Sequence, residues 1–334
     1  MTPFILVSQS FGKESEYRRV ILTMLSAAAH LGEDIGACQF VLFTDNIDFF
    51  KQWLNGLNVH YVLLTPTKVK QMRGDIDFLH RMKIALIEES FALFPNRSMF
   101  YVDSDTFFVQ NPMLGINRID AQTSSMHLLE YPFSDIKNMP LPAGKTFQAF
   151  YQLAIGNQFT LANGDSLQVV ETDASWNAGV MCLHHSHVRF LPDVYGLTNQ
   201  FYPQTLNHAS EQYAFSILLQ KNTQLIPSED VVYHYWYRIK KDIMDEILAE
   251  KDFMAIENQA LAAKIAFVKN LTIQLPERLA QHVYTLIDHS VQAFNENKFG
   301  EGYRWFLKAI FKNPSKAITL WKDVLYHAKR QISK

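Results

Sequence analysis

Three short apolar runs, Phe4-Ile5-Leu6-Val7, Phe40-Val41-Leu42-Phe43 and Met99-Phe100-Tyr101-Val102, are separated by segments long enough to hold helices. An unbroken apolar run, rather than alternation, is what a strand covered on both faces requires, and such strands belong to sheets with helices packed on each side. The intervening residues agree. Ser15 to Leu31 reads as a helix opened by Ser15 as a cap, a second helix ends at Trp53, and Asp77 to Phe94 reads as a third, stopped by Pro95-Asn96. With Val59 to Leu64 as a further strand, the first third predicts an α/β fold built on a mostly parallel sheet. Such sheets take their ligands at the carboxyl ends of the strands.

Composition narrows the function classes. At 334 residues the chain is long enough for about two domains or one large one, and 48% hydrophobic with 19% charged residues excludes a mostly disordered protein. A formal charge of −2 gives no general attraction to polyanions, so no nucleic-acid partner is expected. Cys38 and Cys182 are far apart in sequence, which supports neither a disulfide framework nor a structural zinc site and fits a reducing compartment. The N-terminal apolar stretch is too short for a signal peptide, and nowhere do about 18 apolar residues run together, so a cytoplasmic location is expected, with peripheral contact at the inner face of a membrane left open.

Pro132, Pro140, Pro142, Gly144, Gly156 and Gly164 punctuate residues 112–170, which read as an inserted, variable region with a strand at Met126 to Leu129 and a helix near Phe147 to Leu153. Regular signals return at Leu167 to Glu171, Gly179 to Leu183 and Ala209 to Leu219, and beyond Lys240 the pattern is helical almost throughout. One helix pair, Ala293-Phe294 through Tyr303 to Pro314, is similar to a single tetratricopeptide unit, too little for a solenoid. Residues 298–334 carry nine basic side chains against Glu301 and Asp323, with Trp305, Phe306, Phe311 and Trp321 among them. This stretch forms either a helical cap with a solvated basic face or an amphipathic surface for anionic lipid.

The chemistry is concentrated at Asp103-Ser104-Asp105, directly after the apolar run at Met99 to Val102. Two carboxylates one residue apart on extended backbone suit a hard divalent cation, Mn²⁺ or Mg²⁺, that also takes oxygens from a diphosphate. The same tripeptide can also be a charged strand-to-loop cap. His184-His185-Ser186-His187 lacks helical ligand spacing and reads as structural.

With Phe100-Tyr101-Val102-Asp103-Ser104-Asp105-Thr106, Trp176-Asn177-Ala178-Gly179-Val180-Met181 and Ala209-Ser210-Glu211-Gln212 in this order, the sequence resembles the nucleotide-sugar glycosyltransferases of the GT-A fold, in particular the glycogenin-like and galactinol-synthase-like group. The resemblance spans roughly residues 4–240. It implies a Rossmann-like catalytic domain at 1–240, with a donor-binding half at about 1–110 and an acceptor half at about 111–240, followed by an all-α extension at 241–334. It implies Asp105 as a metal ligand, Asp103 at the metal or the ribose, and His234 as a further ligand, although His234 also reads as a packed histidine in an aromatic strand. Past His234 the chain departs from the family pattern with Tyr235-Trp236-Tyr237-Arg238-Ile239-Lys240-Lys241, where Arg238, Lys240 or Lys241 is a candidate for neutralising diphosphate.

Further donor-site candidates follow from the same resemblance. Lys83 supplies a point charge suited to phosphate, and Ser8 lies at the end of the first strand near a nucleoside pocket. Asn177 offers an amide to sugar hydroxyls, Ala178 and Gly179 permit close backbone approach, and Gln212 follows Glu211. Glu211 is the catalytic candidate, as general base in an inverting enzyme or as a group that holds donor hydroxyls or the cationic sugar in a retaining one; a helix-dipole role is the plainer alternative. The implied partners are a nucleotide-sugar donor, a UDP-sugar by family, and a glycan, lipid-linked or lipopolysaccharide-type acceptor. A metal-dependent nucleotidyl or phosphoryl transferase and a non-catalytic helical interaction module are the rival readings.

Overall fold

A computed structural model describes residues 3–140 and 144–315. The chain opens with β1 (Phe4–Ser10), turns at Gly12, whose φ of +89° suits a residue without a side chain, and enters α1 (Glu14–Leu31). Ser15 is not the cap. Lys13 holds that position without a side-chain hydrogen bond, and Glu14 and Glu16 favour the helix start through their charge at its positive end.

Then follow β2 (Cys38–Thr44), α2 (Ile47–Trp53), β3 (Val59–Leu63), α3 (Pro66–Arg73), α4 (Arg81–Leu93), β4 (Ser98–Val102), β5 (Thr106–Phe108) and α5 (Met113–Ile116). The helix expected from Asp77 starts only at Arg81, because Asp77 has a left-handed φ of +47° that no right-handed helix accepts.

Residues 112–170 are not a simple insertion. β6 (Thr123–Met126) is an integral strand of the central sheet, and β7 (Leu129–Pro132) pairs elsewhere, so the strand expected at Met126 to Leu129 is the bend between the two. After them come α6 (Lys145–Ala154), the hairpin β8 (Gln158–Thr160) and β9 (Ser166–Gln168), then β10 (Ala174–Trp176), β11 (Val180–Leu183), α7 (Leu191–Thr205), α8 (Ser210–Asn222), β12 (Gln224–Pro227) and β13 (Val232–His234). Five helices complete the described chain: α9 (Arg238–Leu248), α10 (Lys251–Met254), α11 (Leu261–Ala280), α12 (Val283–Asn295) and α13 (Phe299–Lys312).

The central sheet has seven strands in the order β12-β6-β11-β4-β1-β2-β3. Only β11 runs against the rest, antiparallel to both β4 and β6. Successive residues of its strands feed two cores. Phe4, Leu6, Phe40, Leu42, Phe100 and Val102 pack toward α1 and the helices α9 to α11, whereas Ile5, Val7, Val41, Phe43, Met99 and Tyr101 pack toward α4, α7 and α8. Each of these fully buried side chains contributes about 1.5–3 kcal/mol of burial. Ile243, Met244, Ile247, Val268 and Leu275 belong to the first core, so the helical segment after residue 240 covers one face of the sheet. The pair α12 and α13 has its own small cluster around Phe294 and Ala309. On α13, Leu307 and Phe311 are exposed beside Lys308 and Lys312; the remainder of the basic stretch, including Trp321, lies outside the described residues. Among the described residues no helix is long and apolar enough to cross a membrane.

Candidate functional site

The central sheet and the separate β5–β13 pair bring three chain segments to one point. β4 ends at Val102 and delivers Asp103 beyond the edge; reversed β11 pairs Val180 with Val102, which sets Gly179 opposite, and the Asp103 amide donates to the Gly179 carbonyl at 2.7 Å. β13 pairs antiparallel with β5, His234 opposite Thr106, and the Tyr235 amide donates to the Asp105 carbonyl at 3.0 Å. Asp103, Asp105 and His234 therefore converge, with one ligand atom from each within 4.8 Å of the others.

The charges are paired across this point. His234 Nε2 lies 3.2 Å from Asp105 Oδ1, and Lys241 Nζ, from the first turn of α9, lies 2.6 Å from Asp105 Oδ2. Burial would push the Asp105 carboxyl up, but His234 and Lys241 outweigh it and hold it below the usual carboxylate range. Lys83, from α4, is buried and sits 3.3 Å from Asp103, 3.1 Å from Glu211 and 3.1 Å from the Ala178 carbonyl. Burial would lower its pKa, yet Asp103 and Glu211 raise it above the ordinary lysine value, so it stays an ammonium. The Tyr101 hydroxyl donates to Asp103, and burial followed by the nearby carboxylates keeps that phenol protonated.

Two clefts meet here. One of about 600 Å³ is lined by the polar residues Asn177, Glu211 and Gln212, by Gly179, and by the aromatic residues Tyr131, Phe147, Trp236 and Tyr237. The second, of about 510 Å³, is lined by Gln9 to Lys13 at the end of β1 and by Glu16. His80, Lys83, Asp103, Asp105 and Lys241 border both, so the acidic pair stands at their junction.

Two sequence candidates sit elsewhere. Ser8 is fully buried and lines neither cleft; its neighbours Gln9 and Ser10 do. The Ala178 side chain is part of the sheet's second core, and its role is carried by its backbone, whose amide donates to Gln212 Oε1 at 3.1 Å and whose carbonyl accepts from Lys83. Gly179 lines the first cleft and is also close-packed against the imidazole: a Cβ there would stand 2.0 Å from His234 Cε1. Of the three basic candidates after His234, Lys241 alone reaches the acidic pair; Lys240 bonds the Tyr233 hydroxyl and Arg238 pairs with Asp242.

The sequence reading missed Glu130, His80 and His208, all on the first cleft. Glu130 accepts from Asn177, Ser175 and Gln212. Its partners lie 45 to 82 residues away, so only the acid in a short strand, Leu129-Glu130-Tyr131, was visible as a signal. The histidine run behaves as read: His184 and His187 cap and brace a short turn of helix.

The donor set fits a hard dication. Asp103, Asp105, Glu130 and Glu211 supply four carboxylates against the two ammonium groups of Lys83 and Lys241, and the Lys241 ammonium already occupies one Asp105 oxygen as a cation would.

No known family model matches the sequence, and no curated protein does. Solved structures similar to the chain are glycosyltransferases. The galactosyltransferase LgtC, crystallised with donor and acceptor sugar analogues, is 12% identical over 79% of this chain and 96% of its own, with a TM-score of 0.46. The glycosyltransferase GlyE of Streptococcus pneumoniae TIGR4 is 10% identical over 84% of this chain and 64% of its own, TM-score 0.41. The bifunctional glycosyltransferase WbbM is 11% identical, covering 77% of this chain, which spans about half of WbbM (52%), with a TM-score of 0.44.

Proposed function

We propose that the chain is a glycosyltransferase. In particular, we infer a metal-dependent enzyme that takes a sugar from a nucleotide-diphosphate sugar, a UDP-sugar, and transfers it to a glycan, lipid-linked or lipopolysaccharide-type acceptor. The observation that carries this reading is the convergence of Asp103, Asp105 and His234 at the junction of two clefts, with Lys83 and Lys241 beside them.

Asp103, Asp105 and His234 would hold Mn²⁺ or Mg²⁺, which when bound neutralises charge growing on the departing diphosphate. Lys241, paired with Asp105 at 2.6 Å, would be the ammonium available to a diphosphate oxygen where a cation takes its place on Asp105. Lys83 stays with Asp103 and Glu211, which fixes both carboxylates at the boundary between donor and acceptor spaces. Glu211 is 3% exposed and meets an ammonium rather than a free hydroxyl, which favours the electrostatic role over that of general base. The second cleft, at the end of β1, takes the nucleoside, and the sugar lies toward Asn177 and Glu211 in the first. Trp236 and Tyr237, stacked with centroids 4.9 Å apart, offer an aromatic platform for an acceptor sugar. In this reading residues 1–240 carry the chemistry, divided near residue 110, and the helical remainder from 241 contributes Lys241.

Thermal unfolding with Mn²⁺ and UDP-sugars tests it. A donor at a hundredfold its dissociation constant adds about 2.7 kcal/mol to the folded state. A Mn²⁺-dependent rise of the midpoint that disappears in Asp105→Asn is expected; stabilisation by no nucleotide-sugar, with or without metal, would overturn the proposal.

A further inference from the structure

Asn177 is held at both ends of its amide. Its Oδ1 accepts from the Gly179 backbone N–H at 3.0 Å, which fixes that atom as the oxygen, and its Nδ2 donates to Glu130 Oε1 at 2.9 Å, which fixes the other as the nitrogen. His234 Nδ1 lies 3.0 Å from the same Asn177 Oδ1. An oxygen with no hydrogen can only accept, so His234 Nδ1 carries the proton and donates it there, leaving the Nε2 position, 3.2 Å from Asp105, as the one that can turn a lone pair to a cation. Glu130 is braced in turn: its Oε2 accepts from Ser175 Oγ at 3.0 Å and Gln212 Nε2 at 2.8 Å. Gly179 completes the arrangement by leaving room for the imidazole.

We infer that Glu130 and Asn177 form a positioning relay, carboxylate to amide to imidazole, that sets the tautomer and ring orientation of His234 for a divalent cation. This rests on the reading of Asp103, Asp105 and His234 as metal ligands. It reassigns Asn177: its oxygen is committed to the protein, and its first task is to orient a ligand rather than to hold a sugar hydroxyl. Groups that stand behind a metal-bound histidine in this way are commonly worth 10- to 100-fold in metal affinity.

The relay also makes a prediction about polarity. In Asn177→Asp a carboxylate oxygen faces Glu130 Oε1, and in Glu130→Gln oriented toward Ser175 and Gln212 an amide nitrogen faces Asn177 Nδ2; each single change sets like against like. Together, Glu130→Gln with Asn177→Asp restores every bond, since the Gln amide then donates to the Asp carboxylate, which accepts from His234 and Gly179.

Two readouts separate the relay from the reading beneath it. In metal-free protein with ¹⁵N-labelled histidine, NMR is expected to show a protected His234 Nδ1 proton in wild type that exchanges freely in Asn177→Ala. Free-Mn²⁺ electron paramagnetic resonance, with the metal alone, is expected to show affinity falling at least tenfold in Asn177→Asp and in Glu130→Gln and returning to within about threefold of wild type in the double variant. A Nδ1 proton that is unprotected in wild type or unchanged in Asn177→Ala overturns the relay, as does a double variant no better than its parents. A protected proton lost in Asn177→Ala in a protein that binds no Mn²⁺ keeps the relay as the determinant of His234 orientation and defeats the metal reading alone.

Discussion

Gly179 shows how a single residue can be constrained at this site by its packing against a neighbouring side chain. A methyl group there would stand 2.0 Å from His234 Cε1, and 2.7 and 2.8 Å from its two ring nitrogens, so the imidazole must swing away. Gly179→Ala is therefore expected to cost about 1–3 kcal/mol of stability through overpacking, and to weaken Mn²⁺ binding more than tenfold in calorimetric titration, because the displaced ring is a proposed ligand. Equal Mn²⁺ affinity in wild type and variant would return Gly179 to its sequence-level reading, a residue kept small for a sugar. The Asn-Ala-Gly block was legible as a block. Its division of labour was not: Asn177 bonds to Glu130 and His234, Ala178 holds Lys83 and Gln212 by its backbone, and these partners are distant in sequence.

Elements were legible where the local pattern and the buried surface coincide. β1, β2 and β4 are apolar on both faces because the sheet buries both, and four consecutive apolar residues state that directly. Met126 to Leu129 is also apolar in part, yet β6 and β7 belong to different sheets, and the bend at His127 is imposed by pairing with Ser228 and Asn177, which no local pattern encodes. The turn carrying His184 to Phe190 yields a prediction at this scale. His187 is buried; its Nε2–H donates to the Ala121 carbonyl and its Nδ1 accepts from the His184 amide, so a second ring proton would face a donor. Burial lowers its pKa to about 4, outweighing the hydrogen bond to the Ala121 carbonyl, which acts to raise it, with smaller lowering contributions from His184 and Arg189. Below about pH 6.5 the unfolded chain binds a proton that the folded chain refuses, so stability present at pH 7 is lost as the pH falls toward 4. By pH 5 this loss is about 2 kcal/mol. Urea titrations at pH 7 and pH 5 are expected to show His187→Gln losing about 2 kcal/mol less over this interval than wild type; equal losses would mean that the ring titrates normally.

On the scale of the whole molecule, the site is bordered by a helix that runs across the end of the stretch resembling a catalytic domain. Lys241 lies in the first turn of α9, and what fixes α9 is its apolar face, Ile243, Met244 and Ile247, together with Asp245, which accepts from Nε and Nη2 of the Arg19 guanidinium from α1 at 2.7 and 2.6 Å. Arg19 is buried and keeps a second partner in Glu16, which also accepts from Ser104 between the two site aspartates. The basic run after His234 was visible in sequence, but which of its members reaches Asp105 depends on this fork, formed by residues 226 positions apart. Asp245→Ala leaves the guanidinium one partner short. Because Asp245 is about one-third exposed, the loss is discounted for solvent to about 1–2 kcal/mol, a fall of about 1.5–3 °C in midpoint. If α9 positions Lys241 for diphosphate, the same variant is expected to raise the KM for the nucleotide-sugar several-fold while Mn²⁺ affinity stays near wild type, since Asp103 and Asp105 come from the turn between β4 and β5 and His234 from the end of β13. A variant that loses stability with an unchanged KM would reduce the helical segment to a cover for the sheet and leave Lys241 as a counter-charge for Asp105 alone.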